Sequence, residues 1–186
     1  MKLYPVYPNN ISVQTFGTTD TFMILIYVPA TETLVPIVVG PTEAKAVLMA
    51  KEGIGGERPL THKLIADLVA SCGCVVENVY IESFSEGIFY AKISLIGLMG
   101  QRKVDCRPSD AIAIAINCNA PIYLTDSLLE EAGITDSDME SASQLIQPTL
   151  EELRSELAEA EANEEYERAA EIMAEINNRF GNDNQD

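Results

Sequence analysis

A chain of 186 residues, 47% of them hydrophobic, is long enough for one ordinary domain and a smaller appendage, and it can fill a core. Its net charge of −17 works against tight binding to polyphosphate unless basic groups are gathered locally. The longest strongly apolar run, "FMILIYV" at 22–28, is too short to span a bilayer, and no charged start with a cleavage site precedes it, so a cytoplasmic protein without a membrane partner is expected.

The charge is unevenly spread. Residues 1–133 hold nine Lys and Arg against fourteen Asp and Glu, whereas residues 134–186 hold three against fifteen. Four cysteines without a secretion signal point to reduced thiols. "CGC" has the wrong inner spacing for a zinc knuckle, and the only histidine, His62, lies ten residues upstream. The cysteines are read as small buried hydrophobes.

In chain order, "FMILIYV" and "TLVPIVVG" are rich in β-branched residues and form a hairpin of two buried strands, with Pro36 favouring an edge or a bulge. "PTEAKAVLMAKEG" is a helix that starts at Pro41 and stops at a left-handed Gly53. "GIGGE" lacks the strand, lysine and helix of a phosphate-binding loop and is read as a mobile connection. "PLTHKLIADLVASCG" places Leu60, Leu64, Ile65, Leu68 and Val69 on one helical stripe ending at Gly73. Three strand-like runs, "VVENVYIESF", "GIFYAKISLIG" and "QRKVDC", then form an antiparallel meander.

"CRPSDAIAIAINCN" at 106–119 poses the sharpest local question. Ile112, Ile114 and Ile116 alternate as in a strand, but with alanines, so no face is offered to water. Alanine is the best helix former, Pro108 suits a first turn, and Ser109 and Asp110 suit the positive end. The stretch is read as a helix over about 108–118, buried on most sides. "APIYLTDSLLEEAG" follows as a short strand, a Thr125 or Asp126 cap and a short helix closed by Gly133.

After Gly133 the composition changes. Residues 134–147 read as a polar linker, residues 148–181 as two antiparallel helices with Asn163 between them, and residues 182–186 as a disordered tail. The apolar stripes are Leu150, Leu153, Leu157 and Ala160, then Tyr166, Ala169, Ala170, Met173 and Ile176. Two such short helices are marginal alone, so a partner is expected, from a second copy or another protein.

Two basic windows stand at helix entrances. Residues 58–63 and 102–107 hold Arg58, Lys63, Arg102, Lys103 and Arg107, five of the nine basic residues of the first domain, together with His62. Strand alternation would place Lys103, Asp105 and Arg107 on one face leading to a helix N-terminus, a favourable place for an anion. The residue types equally allow a structural staple of Arg107 to Asp105 or Asp110.

At these residues the chain resembles a known family. "VPIVVGPTEA", "RPLTHKLI" and "VDCRPSDAIAIAI", followed by "PIYLTD", are similar to the bifunctional nuclease family over residues 1 to about 133. The resemblance implies an α+β fold, a mixed or antiparallel sheet packed with helices, plus the C-terminal α-helical hairpin read above. It also implies an oligomeric habit and a nuclease activity on DNA and RNA. The tail, "LEELRSELAEAEANEEYERAAEIMAEI", resembles the UVR motif of bacterial excision-repair subunits B and C, a helical hairpin for protein contact, with Met173 and Ala174 where that motif carries Arg-Asp.

Carried onto matching positions, the candidate site is Arg58, His62, Asp105, Arg107, Ser109 and Asp110, with Glu43 outlying. The roles chemistry suggests are His62 as acid or base, Arg58, Arg107 and Ser109 as phosphate ligands, and Asp105 and Asp110 as orienting groups or ligands of a divalent cation. Two carboxylates are thin for a two-metal site, so the cofactor expectation is one Mg2+ or none. The competing reading is a non-catalytic adaptor or anion-binding regulatory module built from the same arginines.

Overall fold

The computed structural model describes residues 2–15, 21–56, 58–135, 153, 154, 157, 158, 160, 161 and 165–180. Contacts divide the chain into two units, Met1–Ser141 and Ala142–Asp186, each taken by itself below.

The first unit is α+β and contains two sheets. Strands β1 (Leu3–Val6), β2 (Ile11–Thr15), β3 (Phe22–Val28) and β4 (Thr33–Val39) precede helices α1 (Pro41–Lys51) and α2 (Thr61–Ser71). The expected meander follows as β5 (Val75–Ser85), β6 (Ile88–Gly97) and β7 (Gly100–Cys106), and then come α3 (Pro108–Cys118), β8 (Ile122–Thr125) and α4 (Asp126–Ala132). The larger sheet has the order β1-β8-β5-β6-β7 and is mixed, because β8 returns parallel to β5 after α3. The smaller sheet is β2-β3-β4, all antiparallel. Pro36 lies on β4, at its edge, where a missing N–H costs no ladder bond.

Strands β1 and β2 were not foreseen. Pro5 interrupts the first, and the 3-10 turn Pro8–Asn10 separates them, so their local sequence reads as loop. For β1, pairing across the chain overrides that, Leu3–Val6 lying against Ile122–Thr125, while Ile11–Thr15 pairs with the next strand at Phe22–Ile26.

Helix α3 lies at the centre of the unit. It packs on β5 and β6 of the large sheet and also receives α1 and α2, which is why it needs no polar face. Ala111, Ile112, Ala113, Ile114 and Ala115 are all buried. Each buried isoleucine side chain contributes about 1.5–3 kcal/mol from leaving water. The helix ends at Asn119, whose left-handed φ of 53° closes the last turn.

Of the stripe expected to face inward, only Val69 at the end of α2 does so. Leu60, Leu64, Ile65 and Leu68 are exposed, Leu68 by 54%, whereas Ala66 is buried and Val69 packs against the core. The stripe His62, Ala66, Val69, at i, i+4, i+7, is the face with a small residue at its centre, and small residues permit close approach to α3. His62 is thereby carried inward on that face.

Thr125 caps α4 by accepting from the Leu128 N–H. Gly133 has an ordinary φ of −75°, so its small size matters for space: a Cβ there would run into the Leu129 carbonyl oxygen and Thr33 Cγ2. Ile134 exchanges backbone hydrogen bonds with Leu34, tying this end of the unit to β4. All four cysteines are free thiols, and Cys72 is exposed where a small core residue was expected. Among the described residues no helix is long and apolar enough to cross a membrane.

In the second unit, α5 (Tyr166–Phe180) is helical, as are residues 153, 154, 157, 158, 160 and 161. Leu153, Ala160, Ala169 and Ile172 form one buried cluster, with Leu157 and Ile176 packed against it. The second expected stripe therefore splits: Ala169 and Ile176 face this cluster, while Tyr166, Ala170 and Met173 are exposed. The expected turn at Asn163, residues 136–147 of the linker and the 182–186 tail lie outside the described residues.

Candidate functional site

Three helix first turns meet at one place. Glu43 stands in the first turn of α1, His62 in that of α2 and Asp110 in that of α3, with Arg107 as the residue preceding Pro108. Pro41 and Pro108 begin their helices with φ already set and without an N–H to satisfy. Because α1 and α2 both pack on α3, their first turns bring these side chains within bonding distance. Each helix also adds the positive end of its dipole.

Arg107 is the hub. Its Nε donates to Asp110 Oδ2 at 2.8 Å, its Nη2 to Asp110 Oδ1 at 3.3 Å, and its Nη1 to Glu43 Oε1 at 2.9 Å. His62 Nε2 lies 2.9 Å from Asp110 Oδ1. The guanidinium remains 65% exposed, while His62, Glu43 and Asp110 side chains are 18%, 23% and 27% exposed. Three of its N–H groups are used, so two of the five that a guanidinium carries are left for a ligand. Gly40 belongs to the same arrangement: a Cβ there would sit 2.9 Å from Glu43 Oε2.

The proton positions follow from these contacts. Burial alone would raise the Asp110 pKa, but hydrogen bonds from Arg107 and then His62, reinforced by their charge, hold the carboxyl below its usual range. Asp110 is therefore an ionised, acceptor-only group, and His62 Nε2 must carry the proton it receives. In neutral His62 the lone pair then lies on Nδ1, which has no protein partner among the described residues. Asp110 and Glu43 in turn keep Arg107 charged, in that order of strength. Cys106 is no nucleophile here. Burial first, then the Asp105 and Asp110 charges, push its thiol up to about 11.

Beside His62 a cavity of about 490 Å³ opens between α1, the 53–60 loop and α2. Its walls include Met49, Ile54, Pro59 and Leu60, and Arg58, His62 and Lys63 also line it. Lys63 is paired with Asp67, one turn on. Arg58 is exposed and has no hydrogen-bond or ion-pair partner among the described residues. The two basic windows thus converge in part: Arg58, His62 and Lys63 share the cavity, and Arg107 joins through Asp110.

Two expected residues stand apart. Asp105 is paired in register with Lys92, and it shares the strand face of Lys103, whose amine lies over the Tyr80 ring. Arg107 lies one residue beyond the end of β7, as the extended N-cap of α3, and its side chain is engaged by Asp110 and Glu43. Ser109 is only 5% exposed. Glu43, outlying in the sequence, is a direct partner of Arg107. The signal for it was a glutamate three residues after Gly40 at a helix start, the same position that Asp110 takes relative to Arg107. Among the described residues no group of three or more His, Cys, Asp or Glu forms a metal cage. Asp110 and Glu43 already hold Arg107, so the donor set does not fit a single Mg2+ as a protein-built site.

Residues 24–137 match the family model described as the bifunctional nuclease domain. An uncharacterized protein of Mycobacterium tuberculosis is 36% identical over 122 residues, 64% of this chain and 73% of that protein. Bifunctional nuclease 1 of Oryza sativa subsp. japonica is 26% identical over 122 residues, 64% of this chain but 34% of its own length. Bifunctional nuclease 2 of Arabidopsis thaliana is 28% identical over 105 residues, 54% of this chain and 32% of its own length. The matched span contains all three helix starts, Glu43, His62 and Asp110, and on that span this chain belongs to the bifunctional nuclease domain family.

Proposed function

We propose that the first unit is a nuclease that hydrolyses phosphodiester bonds of DNA or RNA. The observation that carries the reading is the His62–Asp110–Arg107–Glu43 chain of contacts, in which His62, with a free imidazole nitrogen, lines an open cavity and is joined through Asp110 to an exposed guanidinium. His62 Nδ1 takes the proton of the attacking water, and Asp110 stabilises the imidazolium that forms. The same imidazolium returns its proton to the leaving oxygen. Arg107 and Arg58 hold the non-bridging oxygens as charge builds there. Glu43 and Asp110 position Arg107 from both sides. The names of the plant relatives support a nucleic-acid substrate.

The test is cleavage of labelled single-stranded DNA and RNA by the purified full chain, with Mg2+ and with a chelator. Products are expected to grow in proportion to protein and to follow it through the final column. Saturable binding without any cleavage would favour the second reading, an anion-binding module. The observation behind that reading is that Arg107 is already held by two carboxylates with no ligand present.

The second unit, with its resemblance to the UVR hairpin, serves as the contact for a protein partner or a second copy. Exposed Tyr166, Ala170 and Met173 beside a strongly acidic surface support this, and exposed Leu64, Ile65 and Leu68 on α2 support a homo-oligomer of the first unit. Deleting residues 146–186 is expected to lower the solution mass or to abolish capture of a partner. An unchanged mass and binding profile would refute the role of the tail.

A further inference from the structure

The cavity beside His62 has a chemistry of its own. One side is apolar, formed by Met49, Ile54, Pro59 and Leu60, while Arg58 and Lys63 bring positive charge and His62 adds a ring nitrogen. At about 490 Å³ it lies within the range of small-ligand sites, which runs from roughly 300 to 1,000 Å³. A site of this kind suits a ligand with a flat, weakly polar body and an anionic group. Lys63 is partly neutralised by Asp67, so Arg58 is the cation freest to meet that anion.

Resting on the hydrolase reading, we propose that this cavity takes one unstacked nucleotide of the substrate, its base against Met49, Ile54, Pro59 and Leu60 and its phosphate toward Arg58 and His62. The substrate class follows from the geometry. A base paired inside a duplex cannot lie against these walls, set between two helices and a loop, without leaving its stack, which costs a few kcal/mol, whereas a base in a single strand or at a frayed end enters at little cost. The cavity therefore selects single-stranded or terminal nucleotides. His62 belongs to both the cavity and the Asp110 contact, so the nucleotide held there places its phosphate beside the free Nδ1.

The probe is adenosine 5′-monophosphate, titrated calorimetrically into the full chain, with adenosine as the uncharged comparison. Saturable binding is expected, weakened at least tenfold on removal of the phosphate or in Arg58→Gln, and lost in Ala46→Phe, which fills the cavity from α1. The thermal midpoint checks the fold of each variant. Should Ala46→Phe fail to fold, Ile54→Asp at an exposed position of the same wall replaces it. Cleavage of a single strand is expected to exceed that of the matching duplex at least tenfold. Absence of saturable binding, or binding indifferent to Ala46, Ile54 and Arg58, overturns the proposal even if the chain cuts nucleic acid. Binding that meets the expectation in a chain that cuts nothing upholds the cavity and defeats the hydrolase reading alone.

Discussion

His62→Ala is expected to lower the rate of single-strand cleavage at least a hundredfold while moving the thermal midpoint little. A positioned acid or base contributes about 10²–10⁴ to a rate, and His62 is the sole histidine in the chain. Its Nε2 is engaged with Asp110, which fixes the tautomer and leaves Nδ1 for chemistry. Stability changes little because α2 is held to α3 mainly by Ala66 and Val69, one and two turns further on. A variant that retains more than a tenth of the wild-type rate removes His62 from the mechanism.

Arg107→Ala is expected to lower the rate about 10²–10³-fold, the usual effect of losing one donor to developing charge. The change in stability should be under about 1 kcal/mol, because a pair with its guanidinium 65% exposed is screened by water. The separation of the two effects identifies the role: a staple would cost stability, and a phosphate ligand costs rate. A pH signature accompanies it. The Asp110 carboxyl is depressed in the folded chain, so its contribution to stability is present above its unfolded pKa and is lost as pH falls through the folded one. Without Arg107 the depression shrinks, so the thermal midpoint of the variant should fall less steeply through the acid range than that of the wild type. Arg107→Lys should recover only part of the rate, since an ammonium cannot reach Glu43 and both oxygens of Asp110 in one plane. A large loss of stability with an unchanged rate would turn Arg107 into a structural staple.

The parts of this site that could be read from the sequence are those written in consecutive residues. Arg107, Pro108 and Asp110 lie within one turn, and the alternation of isoleucine with alanine that follows has no water-facing side, so a central helix with charge at its mouth was already present in the order of residues. His62 and Arg58 were visible as a basic window before a second helix. What depended on packing was less visible. The five large apolar residues from Leu60 to Val69 suggested the buried face of α2, yet the helix approaches α3 through Ala66, where a small side chain allows contact, and only Val69 of the five packs inward. Glu43 looked peripheral because its partner lies 64 residues away, and only the packing of α1 against α3 joins them. Asp105 looked central because alternation places it beside Arg107 in an unbroken strand. The strand ends at Cys106, Arg107 is held by Asp110 and Glu43, and Asp105 stays across from Lys92. Strand β1 escaped notice for a related reason: its partner β8 lies more than a hundred residues away, and nothing local in "LYPVYPNN" announces it.

The central claim is that two basic turns, separated by some fifty residues of chain, act as one catalytic unit. A double-mutant cycle on single-strand cleavage tests it most directly, using His62→Ala, Arg107→Ala and the two together. Residues that act as a unit lose nearly everything with the first substitution, so the double variant should be no more than a few-fold slower than the slower single variant. Independent effects that multiply in the double variant, or cleavage that survives both changes, would contradict the account.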